Sequence, residues 1–256
     1  MLDKKPLILV TNDDGIQAKG ISSLIQAVLP FGEVVVVAPD KPQSGMGHAI
    51  TVNDVLRMNR SPLHPELQAY TCSGTPVDCV KLAISEVLDR KPDLLVSGVN
   101  HGENSASNVL YSGTMSAAVE GAMEGIPSIG FSLLDFDPDA DFRGAQQTIK
   151  KVVEKVLSHQ FPKSICLNVN IPQLPPEEIK GIKICRQAKA YWADNFDKRY
   201  DQFGKPYYWL TGDFNRDDWS EDTDIWALDN GYVSIVPTQF DMTAYHAISE
   251  LNQWGL

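Results

Sequence analysis

Cysteine is scarce in this chain of 256 residues. The four present, Cys72, Cys79, Cys166 and Cys185, form no C-x-x-C pair. A zinc ribbon or thioredoxin-type centre is therefore not suggested, and free thiols in a reducing compartment are expected. Long apolar runs are also missing, since none approaches the roughly 18–20 residues of a membrane helix. The first residues, Met-Leu-Asp-Lys-Lys-Pro, lack the apolar stretch of a signal peptide. A cytoplasmic protein with no membrane partner is the expectation. Positive charge is in deficit: 22 Lys and Arg stand against 33 Asp and Glu, for a formal net charge of -11. Such a chain repels a phosphate backbone, which argues against duplex nucleic acid as its main partner. A small phosphate ester stays open, because a metal ion and a few backbone N–H groups can reverse the field locally.

What is present reads as an α/β chain. Residues 7–11 form an apolar run that stops at Asn12-Asp13-Asp14-Gly15, as a buried strand does when it ends in a turn. Residues 16–29 place Ile21, Leu24, Ile25, Val28 and Leu29 at helical spacing before Pro30, and 34–38 is a second buried strand. Further strands are expected at 94–97, 128–132, 165–171 and 232–236. Helices are expected after Thr75-Pro76, after Ser112-Gly113-Thr114, over 145–157 and over 243–251. Continuous apolar strands alternating with helices predict a Rossmann-like, mostly parallel sheet with helices on both faces. After Pro172, prolines and then aromatics crowd the chain from Tyr191 to Trp209, and 213–224 reads as an acidic loop. The expected organisation is a single domain over 1–256. Its core runs to about residue 135, and a C-terminal part over about 136–256 carries a β-hairpin extension and a tail.

In an open parallel sheet, ligands sit outside the carboxyl ends of the strands. Four such ends carry polar clusters: Asn12-Asp13-Asp14, Asp40 to Gly45, Asn100 to Asn104, and Ser132. Two adjacent carboxylates repel unless a cation neutralises them, and oxygen ligands suit Mg²⁺ or Mn²⁺. The same pair can equally shape a turn and cap a helix. Ser112-Gly113-Thr114 before a helix offers free N–H groups and a positive dipole end, hence a phosphate cradle, or an ordinary cap. Other chemistries fit less well. His48, His64, His101, His159 and His246 make no H-x-x-x-H pair, which argues against a zinc hydrolase. Gly45 and Gly47 lack the third glycine of a dinucleotide fingerprint, because position 50 is Ile50, which counts against a Rossmann oxidoreductase. No D-x-D follows the first strand, so no aspartyl-phosphate chemistry is expected.

Taken in order, these segments resemble the SurE family, the survival-protein nucleotidases. They are Val10 to Gly15, Ala38-Pro39-Asp40 through Gln43-Ser44-Gly45, Ser73 to Val80, Pro92-Asp93-Leu94 through Ser97 to Asn104, and Tyr111-Ser112-Gly113-Thr114 with Glu120-Gly121. Tyr207-Tyr208-Trp209 and Gly231 to Ile235 extend the likeness across nearly the whole chain. The resemblance implies hydrolysis of nucleoside 5′- and 3′-monophosphates, and of short polyphosphate, by water with the help of one divalent metal ion per subunit, Mg²⁺ or Mn²⁺. A non-catalytic mononucleotide-binding module is the alternative. The implied metal ligands are Asp13, Asp14, Ser44 and Asn100. Asn12, Gly45, Asn104, Ser112, Gly113 and Thr114 would surround the phosphate, with Asp13, Asn12, Ser112 and Thr114 carrying the reaction. The resemblance also implies a homo-oligomer, dimer or tetramer, built through the C-terminal extension. His246 would contribute only if that extension reaches a site. Two segments depart from the family pattern. Many relatives have Asn-Leu-Gly and then Asp before Tyr-Ser-Gly-Thr. Here Asn104 is followed by Ser105-Ala106-Ser107-Asn108, so a carboxylate is missing. Asp201-Gln202-Phe203-Gly204 replaces an Asp-Pro-Arg-Gly type segment.

Overall fold

Strands that are apolar on both faces must be covered on both, and this requirement organises the chain. The computed structural model describes residues 5–256. The elements in chain order are β1 (Leu7–Thr11), α1 (Lys19–Val28), β2 (Glu33–Pro39), β3 (Met58–Arg60), β4 (Gln68–Cys72), α2 (Pro76–Leu82), β5 (Leu94–His101), α3 (Gly113–Met123) and β6 (Ser128–Leu133). Then follow α4 (Arg143–Ser158), β7 (Ile165–Ile171), β8 (Ile182–Ile184), β9 (Ala190–Tyr200), β10 (Pro206–Arg216), α5 (Asp224–Asp229), β11 (Val233–Gln239) and α6 (Tyr245–Leu251). The fold is α/β, as expected.

One nine-stranded sheet has the order β3-β4-β2-β1-β5-β6-β7-β11-β8. From β4 to β7 every pairing is parallel, while β3 and β11 run antiparallel to their neighbours β4 and β7. Ile8 and Val10 of β1 join Val34 and Val36 of β2 on the face packed by α1 and α4. Leu9 and Val37 point to the other face, with α2 and α3. Each such side chain, fully buried, contributes roughly 1.5–3 kcal/mol. Helix α2 begins as its sequence predicts: Thr75 accepts from the Asp78 N–H, the Asp78 carboxylate accepts from the Thr75 N–H, and Pro76 takes the first turn.

The sheet order fixes where chemistry can sit. The chain steps from β1 outward to β2 on one side and later to β5 on the other. The carboxyl ends of β1 and β5 therefore flank a topological switch point, the usual location of a ligand crevice. A register shift between Ser97 and Asn100 kinks the end of β5 against β6.

The C-terminal half departs from the expected pattern at one place. The acidic stretch 213–224 is not all loop, because Asp213 to Arg216 complete β10 opposite Ala190 to Ala193, and Asp224 opens α5. Cross-strand pairing satisfies the backbone there despite poor strand formers. Strands β9 and β10 form the expected hairpin, paired without interruption from Pro206↔Tyr200 to Arg216↔Ala190.

Candidate active site

Three strand ends and one helix start converge on a cavity of about 430 Å³. Its lining includes Asp13 after β1, Ser44 and Gly45 after β2, Asn100 at the end of β5, Asn104 just beyond, and Ser112 at the start of α3. Backbone bonds hold these segments in place. The Gln43 N–H donates to Asp13 O at 2.7 Å, Ile16 N–H to Pro39 O at 3.0 Å, and Gly47 N–H to Tyr111 O at 3.1 Å. The loop that carries Ser44 is thus stitched both to the end of β1 and to the entry of α3. His48 of the same loop lies 2.9 Å from Glu120 of α3, whose other carboxylate oxygen accepts from Lys81. The hydrogen bond from His48, against burial and with help from Lys81, lowers the Glu120 pKa.

Asp13 is almost entirely buried, and its Oδ1 accepts from the Thr114 hydroxyl. Gly113 lies directly over it, so close that a Cβ there would stand 2.6 Å from Asp13 Cβ and 2.9 Å from Oδ2. Only glycine lets the positive end of α3 come this near to the carboxylate. Burial first, and the charge of Asp14 second, push the Asp13 pKa from 3.8 up to about 6, against the lowering effect of Thr114. Asp14 is half-buried and its Oδ2 accepts from the His101 N–H at 3.3 Å, so it faces the end of β5. Burial raises its pKa too.

The neutral donors are equally constrained. Asn100 Nδ2 donates to Gly102 O at 2.8 Å, which leaves its carbonyl oxygen available. Asn104 is clamped by a buried amide network. Its N–H donates to Asn170 Oδ1 at 2.7 Å, its carbonyl accepts from Asn168 Nδ2 at 2.8 Å, and its Nδ2 donates to Ser132 Oγ at 2.8 Å. Ser112 Oγ accepts from the Met115 N–H at 3.0 Å, so it is a helix cap and a cavity-lining hydroxyl at once. Asn12 Nδ2 donates to Gly15 O at 2.8 Å, while its buried Oδ1 has no partner.

Of the residues singled out from the sequence, Asp13, Ser44, Gly45, Asn100, Asn104 and Ser112 line the cavity directly. Asp14, Asn12, Gly113 and Thr114 stand immediately behind it, through the contacts just given. His246 does not line it, and sits exposed on α6. Residues not assigned a role at the site from sequence also reach the cavity: His101 and Glu103 of the Asn100 to Asn104 cluster, Tyr111 next to Ser112, and the more distant Phe136 and Trp192. Trp192 comes from the distant hairpin, and its Nε1 donates to Asn108 Oδ1 at 3.0 Å. Asn108 is thereby an anchor for an aromatic wall. The aromatic density around Tyr191 to Trp209 was the one signal of this, and it carried no address.

Among the described residues, no three His, Cys, Asp or Glu side chains gather as a metal site. A metal here must take neutral oxygens beside the two carboxylates. The set Asp13, Asp14, Ser44 and Asn100 fits that need: a hard divalent cation prefers all-oxygen ligands. It would also offset the burial that raises both Asp pKa values and the charge of Asp14 that adds to the rise at Asp13.

The sequence profile described as Survival protein SurE matches residues 8–194. The chain belongs to the SurE family. It is 62% identical to the 5'-nucleotidase SurE of Flavobacterium johnsoniae, over all of this chain and 99% of that one. It is 51% identical to the 5'-nucleotidase SurE of Bacteroides fragilis over the full length of both. The fold matches the crystal structure of the SurE protein from Aquifex aeolicus with a TM-score of 0.86 and 41% identity, covering 98% of this chain and 100% of that one. Among the described residues, no helix is long and apolar enough to cross a membrane.

Proposed function

We propose that this SurE-family chain is a 5′-nucleotidase that hydrolyses nucleoside 5′- and 3′-monophosphates, and short polyphosphate, with one Mg²⁺ or Mn²⁺ per subunit. The observation that carries the reading is the convergence of Asp13, Ser44, Asn100, Asn104 and Ser112, from four separate segments, on one cavity. Full-length identity to relatives named 5'-nucleotidase SurE supports it.

In this reading Asp13, Asp14, Ser44 and Asn100 hold the cation. Two carboxylates balance its charge, and two neutral oxygens add no further negative charge to repel a phosphate. When bound, the metal supplies charge stabilisation to the transferring phosphoryl group and lowers the pKa of water. The Ser112 hydroxyl and the unpaired N–H groups of the first turn of α3 then bind phosphate oxygens. One Asn104 N–H is engaged by Ser132, which fixes the amide so that the other can donate into the cavity. Thr114 holds Asp13 in orientation through its hydroxyl. Neither aspartate needs to act as a nucleophile, because water is the attacking group.

Phosphate release from AMP is the test. It should require Mg²⁺ or Mn²⁺ and should almost vanish in Asp13→Asn while the fold survives. A non-catalytic nucleotide-binding module would instead bind AMP tightly and release no phosphate at high protein concentration. Unchanged turnover in Asp13→Asn would refute the assignment.

We read the C-terminal part as the oligomerisation element of one domain, acting in the cytoplasm. Eleven-residue strands make β9 and β10 roughly 35 Å long, and a two-stranded ribbon is marginal on its own. The hairpin exposes Phe196, Tyr200, Tyr208 and Trp209, and α6 exposes Ile248 and Leu251. A second copy of the chain is the natural cover for these apolar surfaces.

A further inference from the structure

We propose that the space between Tyr111 and the hairpin residues Trp192, Asp194 and Gly212 is a nucleobase compartment, which makes the enzyme prefer phosphate esters that carry an amino-bearing base. The proposal rests on the phosphomonoesterase reading above and names the part of the substrate that reading leaves open.

A second cavity, of about 550 Å³, lies beside the active-site cavity. Ser107 and Tyr111 form one side of it, and Trp192, Asp194, Leu210 and Gly212 of the hairpin form the other. Tyr111 and Trp192 line both cavities. Tyr111 also immediately precedes Ser112, where the phosphate is expected. The two cavities therefore share a wall of two aromatic residues, one of them next to Ser112, so a phosphate at Ser112 puts the rest of its molecule beside the second space.

The walls suit a flat ring. In the hairpin register Trp192 pairs with Phe214, Asp194 with Gly212, and Phe196 with Leu210. Alternation along each strand puts these six on one face. Gly212, opposite Asp194, has no side chain, so the sheet surface there is an open floor between Trp192 and Leu210. A Cβ at position 212 would stand 2.4 Å from Ala193 O, so the backbone itself reserves the position for glycine.

Trp192 is ordered before any ligand arrives. Its Nε1 donates to Asn108, and its ring packs at 5.4 Å on Phe214. It still leaves 50% of its surface exposed, and Tyr111 leaves 63%, so both rings have faces free for stacking. A preorganised aromatic is how proteins hold nucleobases without reading sequence. The polar group on the floor, the Asp194 carboxylate, only accepts hydrogen bonds when ionised. It favours the exocyclic amine of adenine, guanine or cytosine. It opposes the carbonyl that hypoxanthine presents in place of the adenine amine.

The test compares phosphate release from AMP, IMP and ribose 5-phosphate by the full-length chain with Mn²⁺. In Trp192→Ala the AMP-to-ribose-5-phosphate ratio of kcat/KM should fall about tenfold, through loss of one stacking partner. Trp192→Phe should restore most of it. Ser107→Trp, which fills the compartment from the half-buried helical turn Ala106–Leu110, should lower the same ratio, and it is a second variant independent of Trp192→Ala. In Asp194→Asn the AMP-to-IMP ratio should fall by about fivefold. Ratios equal to wild type in both Trp192→Ala and Ser107→Trp would overturn the compartment, and an unchanged AMP-to-IMP ratio would overturn the role of Asp194. If the wild-type chain hydrolyses neither AMP nor ribose 5-phosphate, the phosphomonoesterase reading fails. Equilibrium dialysis with adenosine then decides the compartment by itself. Saturable binding that weakens in Ser107→Trp supports it, and no saturable binding overturns it.

Discussion

Asp13→Asn should make the metal-free fold more stable while it removes activity. Asp13 is 3% exposed, and burial followed by the charge of Asp14 raises its pKa from 3.8 to about 6. The folded chain therefore holds this proton more tightly than the unfolded chain does, so ionising Asp13 costs folding free energy. The cost is absent below about pH 4, grows between about 4 and 6, and is complete by about pH 7. The rise corresponds to about 3 kcal/mol. Asparagine has nearly the same shape, carries no charge, and keeps an Oδ1 acceptor for the Thr114 hydroxyl. Its new N–H groups need acceptors, and one left unsatisfied costs about 1–3 kcal/mol. A net gain of up to about 2 kcal/mol remains, or up to about 4–8 °C in Tm for a chain of this size. Thermal unfolding in EDTA at neutral pH measures it, and the gap between variant and wild type should close as the pH falls toward 4. Added Mn²⁺ should raise the wild-type Tm and leave that of the variant almost unmoved. A variant less stable than wild type in EDTA, or one that keeps its turnover, would refute the argument.

Thr114→Val removes the hydroxyl that orients Asp13, and the metal concentration for half-maximal phosphate release should rise about tenfold. Gly113→Ala drives a Cβ to within 2.6 Å of Asp13 Cβ, so kcat should fall at least about tenfold while circular dichroism stays native. Asp224 is fully buried and accepts from the N–H groups of Ala106, Ala188 and Ile225 at 2.8–2.9 Å. Asp224→Ala should cost about 3–5 kcal/mol in urea unfolding and loosen the loop that carries Asn104. Combined Phe196→Ser, Tyr208→Ser and Trp209→Ser should lower the mass of the assembly by light scattering while activity per chain at the core persists.

The fold was legible where one interaction dominates. Residues 7–11 and 34–38 are apolar on both faces, and only a covered parallel sheet accepts such strands. Thr75-Pro76 announced a helix because a cap and a fixed φ act within four residues. The short strands β3, β4 and β8 were not read, since three to five mixed residues carry too little pattern. The stretch 213–216 was misread because its strand character comes from its partner across the hairpin, not from its own residues. The site follows the same division. The Asp13 to Asn104 set was legible as a list, because each member sits at a strand end or helix start and the sheet gathers those ends. Trp192 and Phe136 were not, because nothing near them in sequence refers to β1 or α3. Only the Trp192–Asn108 hydrogen bond and the shared cavity reveal that the hairpin forms a wall of the site.

The energetic arrangement around β1 and β5 argues for function independently of any motif. Among the described residues, seven buried side-chain polar atoms lack a hydrogen-bond partner, and four of them belong to Thr11, Asn12, Ser97 and His101. Thr11 and Asn12 stand at the carboxyl end of β1, Ser97 pairs with Thr11 across to β5, and His101 ends β5, close to where Asp13 and Asp14 also carry raised pKa values. Unsatisfied buried groups each cost about 1–3 kcal/mol, and a fold without a use for them replaces them with apolar side chains. Ile8, Val10, Val36, Leu95 and Val96, one or two turns of pleat away, are fully buried and supply the stability that offsets the loss. The unfavourable terms are thus confined to the switch point of the sheet, where a crevice forms for reasons of topology alone. A cation and a phosphate ester placed there would satisfy both the repelling carboxylates and the first turn of α3. The polarity that costs folding stability there would in that complex become binding energy.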